Sequence, residues 1–521
     1  MKNRTILKLA AFLLLSALLL PACAQDKGGD KDASTTPAVT NPADTTPAET
    51  TADPNLRANH ADKLPADLDF GGEAVTMLFR GTDSYLEGTT GNYWIVNDVC
   101  GTDNIGDIVS DLVWERNQNV AERLHIDLSW VPTNGGGLGA DQTIVRQTLT
   151  AATGEYDGML LTGNTSATLG ISAMLRGLEN APYIDYESPW WWNDVIECYS
   201  LDAKHYQFIL GDMLMTNLAQ TGVLFYNKNL YEDVYGDPDD MYKLAIDGDL
   251  TWDKVAEKVE GAYKDVNGDG ARNLGDVFGY GWSVNKNEEL SHIAISCGLD
   301  LYQRDEEGHL TITMDNERTI TAIETIYRLM NENEGSFSFG GGAIADVAKP
   351  FSESQMLFSV MRLIMATGET MREMEDDYGI LPVPKLTEDQ DYLSFIHDSG
   401  TVLCVPRTIS DKKFETIGAT FEALCGEAHR TYMDAFLDTA LKMKYSRDAL
   451  SGQCIDIFLD SLVSNPLQIY ADWTNSIVSS CIWGPMKSNP NGFASAFKKV
   501  GPAAQKTWDR AVEKLIEQMD S

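Results

Sequence analysis

The 521-residue sequence lacks the motifs of several large enzyme classes. It has no HExxH zinc motif, no GxSxG nucleophile elbow and no Walker loop, and its seven histidines are scattered rather than grouped at metal-ligand spacings. These absences argue against zinc proteases, α/β serine hydrolases and P-loop nucleotidases. A glycosidase stays open, because its two carboxylates are brought together by the fold rather than by a sequence spacing.

Basic residues are also few. The chain has 40 Lys and Arg against 78 Asp and Glu, so its formal net charge is -38 at pH 7. A surface of this charge repels phosphate backbones, which argues against nucleic acid as a partner. It also disfavours anionic ligands, although a local arginine can outweigh the average.

The eight cysteines do not form a metal or redox motif, because none lies in a CxxC arrangement. Apart from Cys23, an odd number remains, and several lie in apolar contexts such as "VLCVP". The pattern predicts buried free thiols rather than a disulfide framework. The residues concerned are Cys100, Cys198, Cys297, Cys404, Cys425, Cys454 and Cys481.

The one long apolar run is at the N-terminus, where "LAAFLLLSALLL" follows Lys2, Arg4 and Lys8. It is shorter than the roughly 20 residues that span a membrane, so residues 1–22 are predicted to be a signal peptide. The following "LPAC" resembles a lipobox, which predicts Cys23 as a lipidated mature N-terminus. Ordinary cleavage with full secretion is the alternative.

Residues 23–63 after the predicted signal peptide are rich in Thr, Pro, Ala and Asp and poor in large apolar side chains. Such a segment buries too little surface to offset its chain entropy. We therefore expect a disordered linker that holds a globular body, starting near Leu64, away from the membrane.

The body begins with strands and helices in alternation. "AVTMLF", "HIDLSWV" and "YDGMLLTG" read as strands, and the segments between them have helical periodicity. This order predicts an α/β layer with a parallel sheet, in which ligands bind beyond the carboxyl ends of strands. Arg80, Thr162 and Asn164 are the candidates there, with Tyr93 and Trp94 in the loop after the first strand.

Residues 265–276, "DVNGDGARNLGD", have close to EF-hand spacing. The predicted calcium ligands are Asp265, Asn267, Asp269, Ala271 and Asp276. No second loop is present and "VFGYGW" follows, which favours a structural fastener over a paired sensor or dockerin module. Aspartate rather than glutamate at the last position indicates modest affinity, with a dissociation constant of about 10⁻⁴ to 10⁻³ M.

The order of these segments resembles that of the extracellular solute-binding proteins of ABC importers, in particular the carbohydrate-binding family 1 group. The resemblance runs from about residue 64 to 464 and is carried by "ERNQNVAERLHIDL", "LENAPYIDYESPWWW", "GDMLMTNLAQTGVLFYNKNLYEDV", "LTWDKVAEKVEGAYKDVNGDG", "DDYGILPVPK" and "SGTVLCVPRTISDKKFETIGATFEAL". It implies an α/β, two-lobed periplasmic-binding-protein-like (type II) fold. Each lobe would be a mixed sheet flanked by helices, and ligand would bind in the cleft between them.

Mapped onto this chain, the family pattern implies that residues 64–214 and 346–394 form lobe 1, and that residues 215–345 and 395–521 form lobe 2. Hinge crossings between the lobes are expected near residues 211–219, 340–351 and 397–401. Residues beyond about 465 have no counterpart in the resemblance. A monomer is expected.

Sugars are bound by aromatic faces and by polar side chains that pair with hydroxyls. Beside the residues at the strand ends, the candidates for ligand contact are Asp212, Asn217, Trp282, Arg362, Asp398, Trp473 and Trp483.

The resulting hypothesis is a lipid-anchored binding protein at the extracellular face of the cell membrane. It would capture a carbohydrate, and specifically an oligosaccharide, for the permease subunits of an ABC importer, without catalysis. A secreted glycosidase and a ligand-sensing protein that reports to a membrane receptor are the alternatives, and a peptide or other polar solute remains open as ligand because the fold does not fix the ligand.

Overall fold

The computed structural model describes residues 56–81, 96–99, 108–135, 138–283, 288–340, 345–437 and 449–519. Asp53–Ser521 form one compact unit. The predicted signal peptide, Cys23, Tyr93, Trp94 and Cys100 lie outside the described residues. Within these ranges, no helix is long and apolar enough to cross a membrane.

Thirteen strands are present in the described ranges. In chain order they are β1 (Glu73–Phe79), β2 (Ile126–Pro132), β3 (Gly158–Thr162), β4 (Gly222–Asn227), β5 (Phe278–Ser283), β6 (Tyr302–Arg304), β7 (Leu310–Ile312), β8 (Ser336–Phe339), β9 (Met356–Arg362), β10 (Tyr378–Leu381), β11 (Ser394–Phe395), β12 (Thr401–Cys404) and β13 (Leu462–Val463).

Most of these strands form two mixed sheets. The first has the order β12, β3, β1, β2, with β1 parallel to β2 and β3, and β12 antiparallel to β3. The second has the order β10, β4, β9, β5, β8, with β4 antiparallel to both of its neighbours and β5 parallel to both of its own. We call the first sheet with its helices the first lobe, and the second sheet with its helices the second lobe.

The described ranges contain nineteen α-helices. In chain order they are α1 (Val96–Val99), α2 (Ile108–Leu124), α3 (Leu138–Ala151), α4 (Gly163–Ile171), α5 (Asn193–Tyr199), α6 (Thr216–Ala219), α7 (Lys228–Tyr235), α8 (Asp239–Ile246), α9 (Trp252–Glu260), α10 (Glu288–Ser296), α11 (Glu317–Tyr327), α12 (Ala345–Ser352), α13 (Glu369–Arg372), α14 (Asp411–Glu427), α15 (Met433–Ala435), α16 (Ala449–Asp460), α17 (Pro466–Ile469), α18 (Gly484–Ser488) and α19 (Phe493–Met519).

Local sequence explains where several helices begin. The side chain of Thr251 accepts a hydrogen bond from the backbone N–H of Lys254 and caps α9. Trp252, Val255 and Val259 follow at helical spacing and are all buried, so one face of α9 packs on the core. Asn316 and Ser410 cap α11 and α14 in the same manner.

The strand pairings correct the predicted division into lobes. β9 and β10 lie within residues 346–394, assigned to lobe 1, yet they join β4 in the second sheet. β12 was assigned to lobe 2, yet it pairs with β3 in the first sheet. Short apolar strands carry no sequence signal for which sheet they join, because that depends on distant partners.

The chain passes between the two sheets in two places that matter for the site. The outward crossing (residues 212–221) follows Ile209, which bridges to Leu403 in the first lobe, and leads into β4. The return crossing (residues 382–400) links β10 to β12. The crossing predicted near 340–351 is wrong, because β8 and β9, on either side of it, both pair with β5.

The predicted linker ends earlier than expected. Residues 56–63 include a 3-10 turn, Arg57–Asn59, and contact the first lobe. The contacts are Arg57 with Asp434 at 2.6 Å, His60 Nδ1 with His429 Nε2 at 2.7 Å, Asp62 with Arg123 at 2.6 Å and Lys63 with Asp185 at 2.8 Å. Composition alone does not reveal these pairings, because the partners are distant in sequence.

Four of the described cysteines, Cys297, Cys404, Cys425 and Cys481, are buried free thiols, which confirms the prediction for these residues. Burial in apolar surroundings raises the pKa of the Cys297 and Cys404 thiols to about 12. They are therefore unreactive packing residues at neutral pH.

Candidate functional site

A cavity of about 550 Å³ lies where the two crossings meet the ends of the sheets. Both lobes and both crossings contribute to its wall. The lining residues are Arg80, Leu138, Asn164, Thr216, Asn217, Gln220, Ser291, Arg362, His397, Asp398, Ser399, Gly400, Thr401, Leu467, Gln468, Ala471, Ser476, Val478, Ser479 and Trp483.

The first lobe contributes residues at the carboxyl ends of β1 and β3, as predicted from the strand order. Arg80 follows β1, and its Nε donates to Asp141 Oδ2 at 3.1 Å. Asn164 follows β3, and its Oδ1 accepts from Thr162 Oγ1 at 2.8 Å. Asn164 also donates its backbone N–H to the carbonyl of Asp398 at 3.1 Å, which fastens this strand end to the return crossing.

Asn217 joins the two crossings to each other. Its Nδ2 donates to the Thr401 carbonyl at 2.8 Å, and its Oδ1 accepts the Thr401 N–H at 2.6 Å. Only 1% of the Asn217 surface is exposed. The Asn217 amide therefore joins the outward crossing to the start of β12, and we call its two hydrogen bonds to Thr401 the strut. Asn217 also lines the cavity.

A chain of polar contacts continues from this strut. Arg362, at the end of β9, donates from Nη1 to Gln220 Oε1 at 2.6 Å, and its Nη2 lies 3.3 Å from His397 Nε2. A guanidinium only donates, so Nε2 is the acceptor in this contact, and Nδ1 lies 3.1 Å from the backbone N–H of Ser399. His397 Nδ1 lies 2.8 Å from Asp398 Oδ1, so the chain ends on a carboxylate.

These contacts determine the charge state of Asp398. Burial alone would raise the pKa of its carboxyl, but the adjacent His397 and the Arg362 guanidinium outweigh burial, and the pKa is lowered. Asp398 is therefore ionised at neutral pH. Among the described lining residues it is the one carboxylate.

His292 lies behind this chain, with its ring centroid 5.8 Å from that of His397. Burial, and then the nearby His397 and Arg362, lower its pKa well below the ordinary value, so it is neutral. Its Nδ1 accepts the Gly222 N–H at 3.1 Å. A Cβ at Gly222 would come within 2.3 Å of the His292 ring, so only glycine permits this approach.

Residues 465–483, here called the C-terminal segment, form another part of the wall. Asn465 caps α17 by accepting the Leu467 N–H at 2.8 Å, with Pro466 in the first helical turn. Thr474 Oγ1 donates to the Leu467 carbonyl at 3.0 Å, and Tyr470 donates its hydroxyl hydrogen to the Tyr199 carbonyl at 2.7 Å. The segment is thereby held against α4 and α5.

Three side chains of the cavity wall have polar atoms without a hydrogen-bond partner among the described residues. They are both amide atoms of Gln468, Nε2 of Gln220 and Nε1 of Trp483. Gln468 and Gln220 are 5% and 4% exposed. A buried polar group left unpaired costs about 1–3 kcal/mol, so a cavity with several such groups is suited to a ligand that supplies the missing partners.

Six of the predicted ligand-contact residues meet at this cavity: Arg80, Asn164, Asn217, Arg362, Asp398 and Trp483. Four others are described but do not line it. Thr162 is buried and bonds to Asn164 and Thr165, and Asp212 is buried between Trp192 and His429. Trp282 is 4% exposed within β5, and Trp473 packs partly buried on the core.

Sequence reasoning missed several lining residues, notably Gln220, His397, Gln468 and Ser479. His397 directly precedes Asp398 in the polar run "HDSGT", which was a usable signal. Gln468 is the one polar residue in the apolar run "PLQIY". Gln220 and Ser479 have no comparable local signal, since only the folding of the crossings brings them to the cavity.

Asp98, on α1, supports the outward crossing from behind. Its Oδ1 accepts the Thr216 N–H at 3.0 Å, and its Oδ2 accepts from the Thr216 hydroxyl. Burial raises the pKa of this carboxyl to about 7 in spite of these hydrogen bonds and the nearby Arg116. Thr216 lines the cavity, so a group that titrates near neutrality lies directly behind the wall.

In the predicted calcium loop, residues 265–276, the carboxylates accept hydrogen bonds from backbone N–H groups of the same loop. Asp265 accepts the N–H groups of Gly268 and Gly270 at 2.7 and 3.0 Å, and Gly270 has the positive φ of 72° that the sharp turn requires. Asp276 is fully buried and accepts the Val266 N–H at 3.2 Å.

In the part of the chain that the structure describes, no three His, Cys, Asp or Glu side chains are grouped as a metal site. The carboxylates of the loop face its own backbone donors. Calcium binding by Asp265, Asn267, Asp269, Ala271 and Asp276 stays a prediction.

The fold is similar to that of known binding proteins. Cyclic alpha-maltosyl-1,6-maltose binding protein from Arthrobacter globiformis has a TM-score of 0.53 at 13% identity, over 86% of this chain and 100% of that chain. UgpB from Mycobacterium tuberculosis, in complex with glycerophosphocholine, has 0.51 at 15%, over 78% and 96%. The sugar-binding protein MalE from Xanthomonas citri has 0.50 at 14%, over 85% and 98%.

No protein-family model matches the chain, and no curated protein sequence matches it. The structural likeness confirms the predicted fold class, an α/β, two-lobed periplasmic-binding-protein-like fold with a mixed sheet in each lobe. At these identities it shows the fold and leaves the ligand to be argued from the cavity.

Proposed function

We propose that this protein is a lipid-anchored substrate-binding protein that captures a carbohydrate, an oligosaccharide, and delivers it to the permease subunits of an ABC importer. The observation that carries the proposal is the cavity of about 550 Å³, whose wall comes from both lobes and both crossings and includes unpartnered polar groups. Its volume lies in the range of about 300–1,000 Å³ typical of small-molecule sites.

The wall suits a sugar better than an apolar ligand. Ten of the twenty described lining residues have amide or hydroxyl side chains, and Trp483 supplies an aromatic ring with an unpartnered Nε1. Rings of this kind stack on the C–H faces of sugars while neighbouring polar groups take the hydroxyls. The names of two structural neighbours, a maltosyl-maltose binding protein and the sugar-binding MalE, support the same ligand class.

Binding would proceed by closure of the lobes. A ligand in the cavity touches Arg80 and Asn164 of the first lobe and Arg362 of the second, and it gains both sets of contacts only when the lobes are close together. The strut from Asn217 to Thr401 keeps the two crossings in register while the lobes move about them. Ligand would therefore stabilise the closed state.

A glycosidase is less well supported. Glycoside hydrolysis uses two carboxyl groups on either side of the scissile bond. The described part of the cavity wall has a single carboxylate, Asp398, and its Oδ1 already contacts His397. The arrangement can hold a sugar, but it does not provide the acid and base pair.

Attachment to the outer face of the membrane rests on the sequence around Cys23. The apolar run, the "LPAC" site and the polar residues that follow it predict a lipid anchor with a tether. The tether in this proposal extends to residue 55, because residues 56–63 contact the first lobe.

In the same proposal, calcium stabilises the loop at residues 265–276 and takes no part in ligand binding. The turn conformation of Gly268 and Gly270 and the EF-hand-like spacing support it. The loop contributes no residue to the cavity wall.

Calorimetric titration of Asp53–Ser521 with a panel of neutral and acidic oligosaccharides tests the proposal. Each mixture is checked for cleavage afterwards by chromatography. We expect saturable binding with the glycan intact. Cleavage of a panel saccharide would favour the glycosidase instead. If no saccharide of the panel binds, the proposal of a carbohydrate ligand is contradicted.

A further inference from the structure

Gln468 has the least satisfied side chain of the cavity wall. It is 5% exposed, and neither Oε1 nor Nε2 has a hydrogen-bond partner among the described residues. Glutamine loses the hydrogen bonds of water when it is buried, so an unpaired amide at this depth destabilises the fold unless something outside the chain pairs with it. The residue lines the cavity, which is where such a partner can enter.

The backbone around Gln468 is nevertheless well fixed. Its own N–H donates to the Asn465 carbonyl at 3.1 Å, and the next residue on the N-terminal side, Leu467, is held by Asn465 and Thr474. Tyr470 anchors the segment to Tyr199. The amide is therefore positioned by its neighbours rather than by its own hydrogen bonds, which is the arrangement of a preorganised ligand contact.

Gln220 provides an instructive comparison on another part of the wall. Its Oε1 accepts from Arg362 at 2.6 Å, and since a guanidinium only donates, the orientation of this amide is fixed. Its Nε2 lacks a partner among the described residues. Gln220 thus offers one donor in a set direction, whereas Gln468 offers a donor and an acceptor side by side.

We propose that Gln468 is a specificity-determining contact, whose amide pairs with two adjacent hydroxyl groups of a bound saccharide. This assignment rests on the proposed function. A hydroxyl can both donate and accept, so one hydroxyl of a vicinal pair accepts from Nε2 while its neighbour donates to Oε1. A saccharide that lacks either hydroxyl at that place leaves one amide atom buried and unpaired, and is rejected for that reason.

The first test needs no ligand. Gln468→Met replaces the amide by an apolar side chain of similar shape, and Gln505→Met, at a partly buried glutamine outside the cavity, is the control. The Gln505 amide is satisfied, with Nε2 donating to the Leu310 carbonyl at 2.9 Å and Oε1 accepting the Ile312 N–H at 2.8 Å. We expect the melting temperature without saccharide to be equal or higher for Gln468→Met and lower for Gln505→Met. A fall for Gln468→Met as large as that of the control would overturn the assignment, because it would show that the amide has a structural partner.

The second test uses the panel saccharide that the wild type binds most tightly, together with its monodeoxy analogues. Gln468→Met should weaken binding of the parent saccharide by about ten-fold or more, and Gln505→Met should leave it unchanged. One or two deoxy analogues should bind the wild type about five-fold or more weakly, and this penalty should vanish in Gln468→Met.

The outcomes separate the assignment from the function on which it rests. Equal affinity of wild type and Gln468→Met for the parent saccharide, or a deoxy penalty that persists in the variant, overturns the assignment and leaves the binding function intact. Absence of binding to any panel saccharide by the wild type overturns both.

Discussion

The first-lobe side of the cavity and its C-terminal segment differ in how their polar side chains are satisfied. Arg80 and Asn164 at the strand ends have protein partners, Asp141 and Thr162. Gln468 and Trp483 in the C-terminal segment retain polar atoms without described partners. Partnered groups hold the shape of the site, and unpartnered groups are the ones that a ligand can satisfy. Substitutions on the two sides should therefore affect different properties.

The largest effect on stability is expected at the strut between the crossings. Asn217→Ala would leave the buried N–H and carbonyl of Thr401 unpaired, at a cost of about 2–4 kcal/mol in the free energy of unfolding. Chemical denaturation of the wild type and the variant measures this difference in the free energy of unfolding. Asn164→Ala, which breaks a single side-chain bond from Thr162, is the control and should cost less than half as much. Equal losses would show that the strut has no special role.

Substitutions in the C-terminal segment, where polar atoms lack partners, should change the affinity for saccharide rather than the stability of the fold. Trp483→Ala is expected to weaken saccharide binding by about ten-fold or more, equivalent to about 1–2 kcal/mol, if its ring stacks on the sugar. Trp473 is in the same segment but does not line the cavity, so Trp473→Ala should leave affinity unchanged. Titration of both variants with the same saccharide decides the matter, and a loss only in Trp473→Ala would place the sugar elsewhere.

A third prediction concerns how the stability of the fold depends on pH through Asp98, which lies behind the cavity wall. Burial raises the pKa of Asp98 to about 7, from an ordinary value of 3.8. Between these values the native state binds a proton that the unfolded state does not, so this group makes stability fall as pH rises from about 4 to 7. Asp98→Asn removes that contribution, and the stability difference between pH 5 and pH 8 should shrink by about 2–3 kcal/mol.

Thermal unfolding of wild type and Asp98→Asn at the two pH values provides the measurement. Burial also raises the pKa of Glu422 to about 7, so part of the pH dependence should persist in the variant. Identical pH dependence in the two proteins would show that Asp98 ionises without penalty.

The smallest effect is expected at the loop of residues 265–276. With a dissociation constant of about 10⁻⁴ to 10⁻³ M, 1 mM calcium would stabilise the wild type by roughly 0.4–1.4 kcal/mol. Asp265→Ala should abolish this increment without changing which saccharide binds. If neither calcium nor a chelator changes the melting temperature of the wild type, the loop does not bind calcium.

Local pattern was sufficient to predict part of this architecture. Arg80 and Asn164 were found because β1 and β3 are compact apolar strands whose carboxyl ends can be read directly from the sequence. Trp282, a candidate because an aromatic ring can stack on a sugar, does not line the cavity. β5 is buried along its whole length, so an aromatic residue there packs into the core rather than facing a ligand.

What could not be predicted depends on contacts between distant parts of the chain. β9, β10 and β12 were assigned to the wrong lobes, because a short apolar strand does not indicate its sheet. The C-terminal segment had no counterpart in the resemblance, yet it places Gln468 and Trp483 at the cavity. Its position follows from Tyr470 and Asn465, whose roles become visible only in the folded chain.

The most direct test is a crystal structure of Asp53–Ser521 with the panel saccharide that binds most tightly. We expect the sugar between the two lobes, with one sugar ring stacked on Trp483 and the Gln468 amide within hydrogen-bond distance of two hydroxyls. A saccharide bound elsewhere, or one in the cavity with Gln468 still unpartnered, would contradict it.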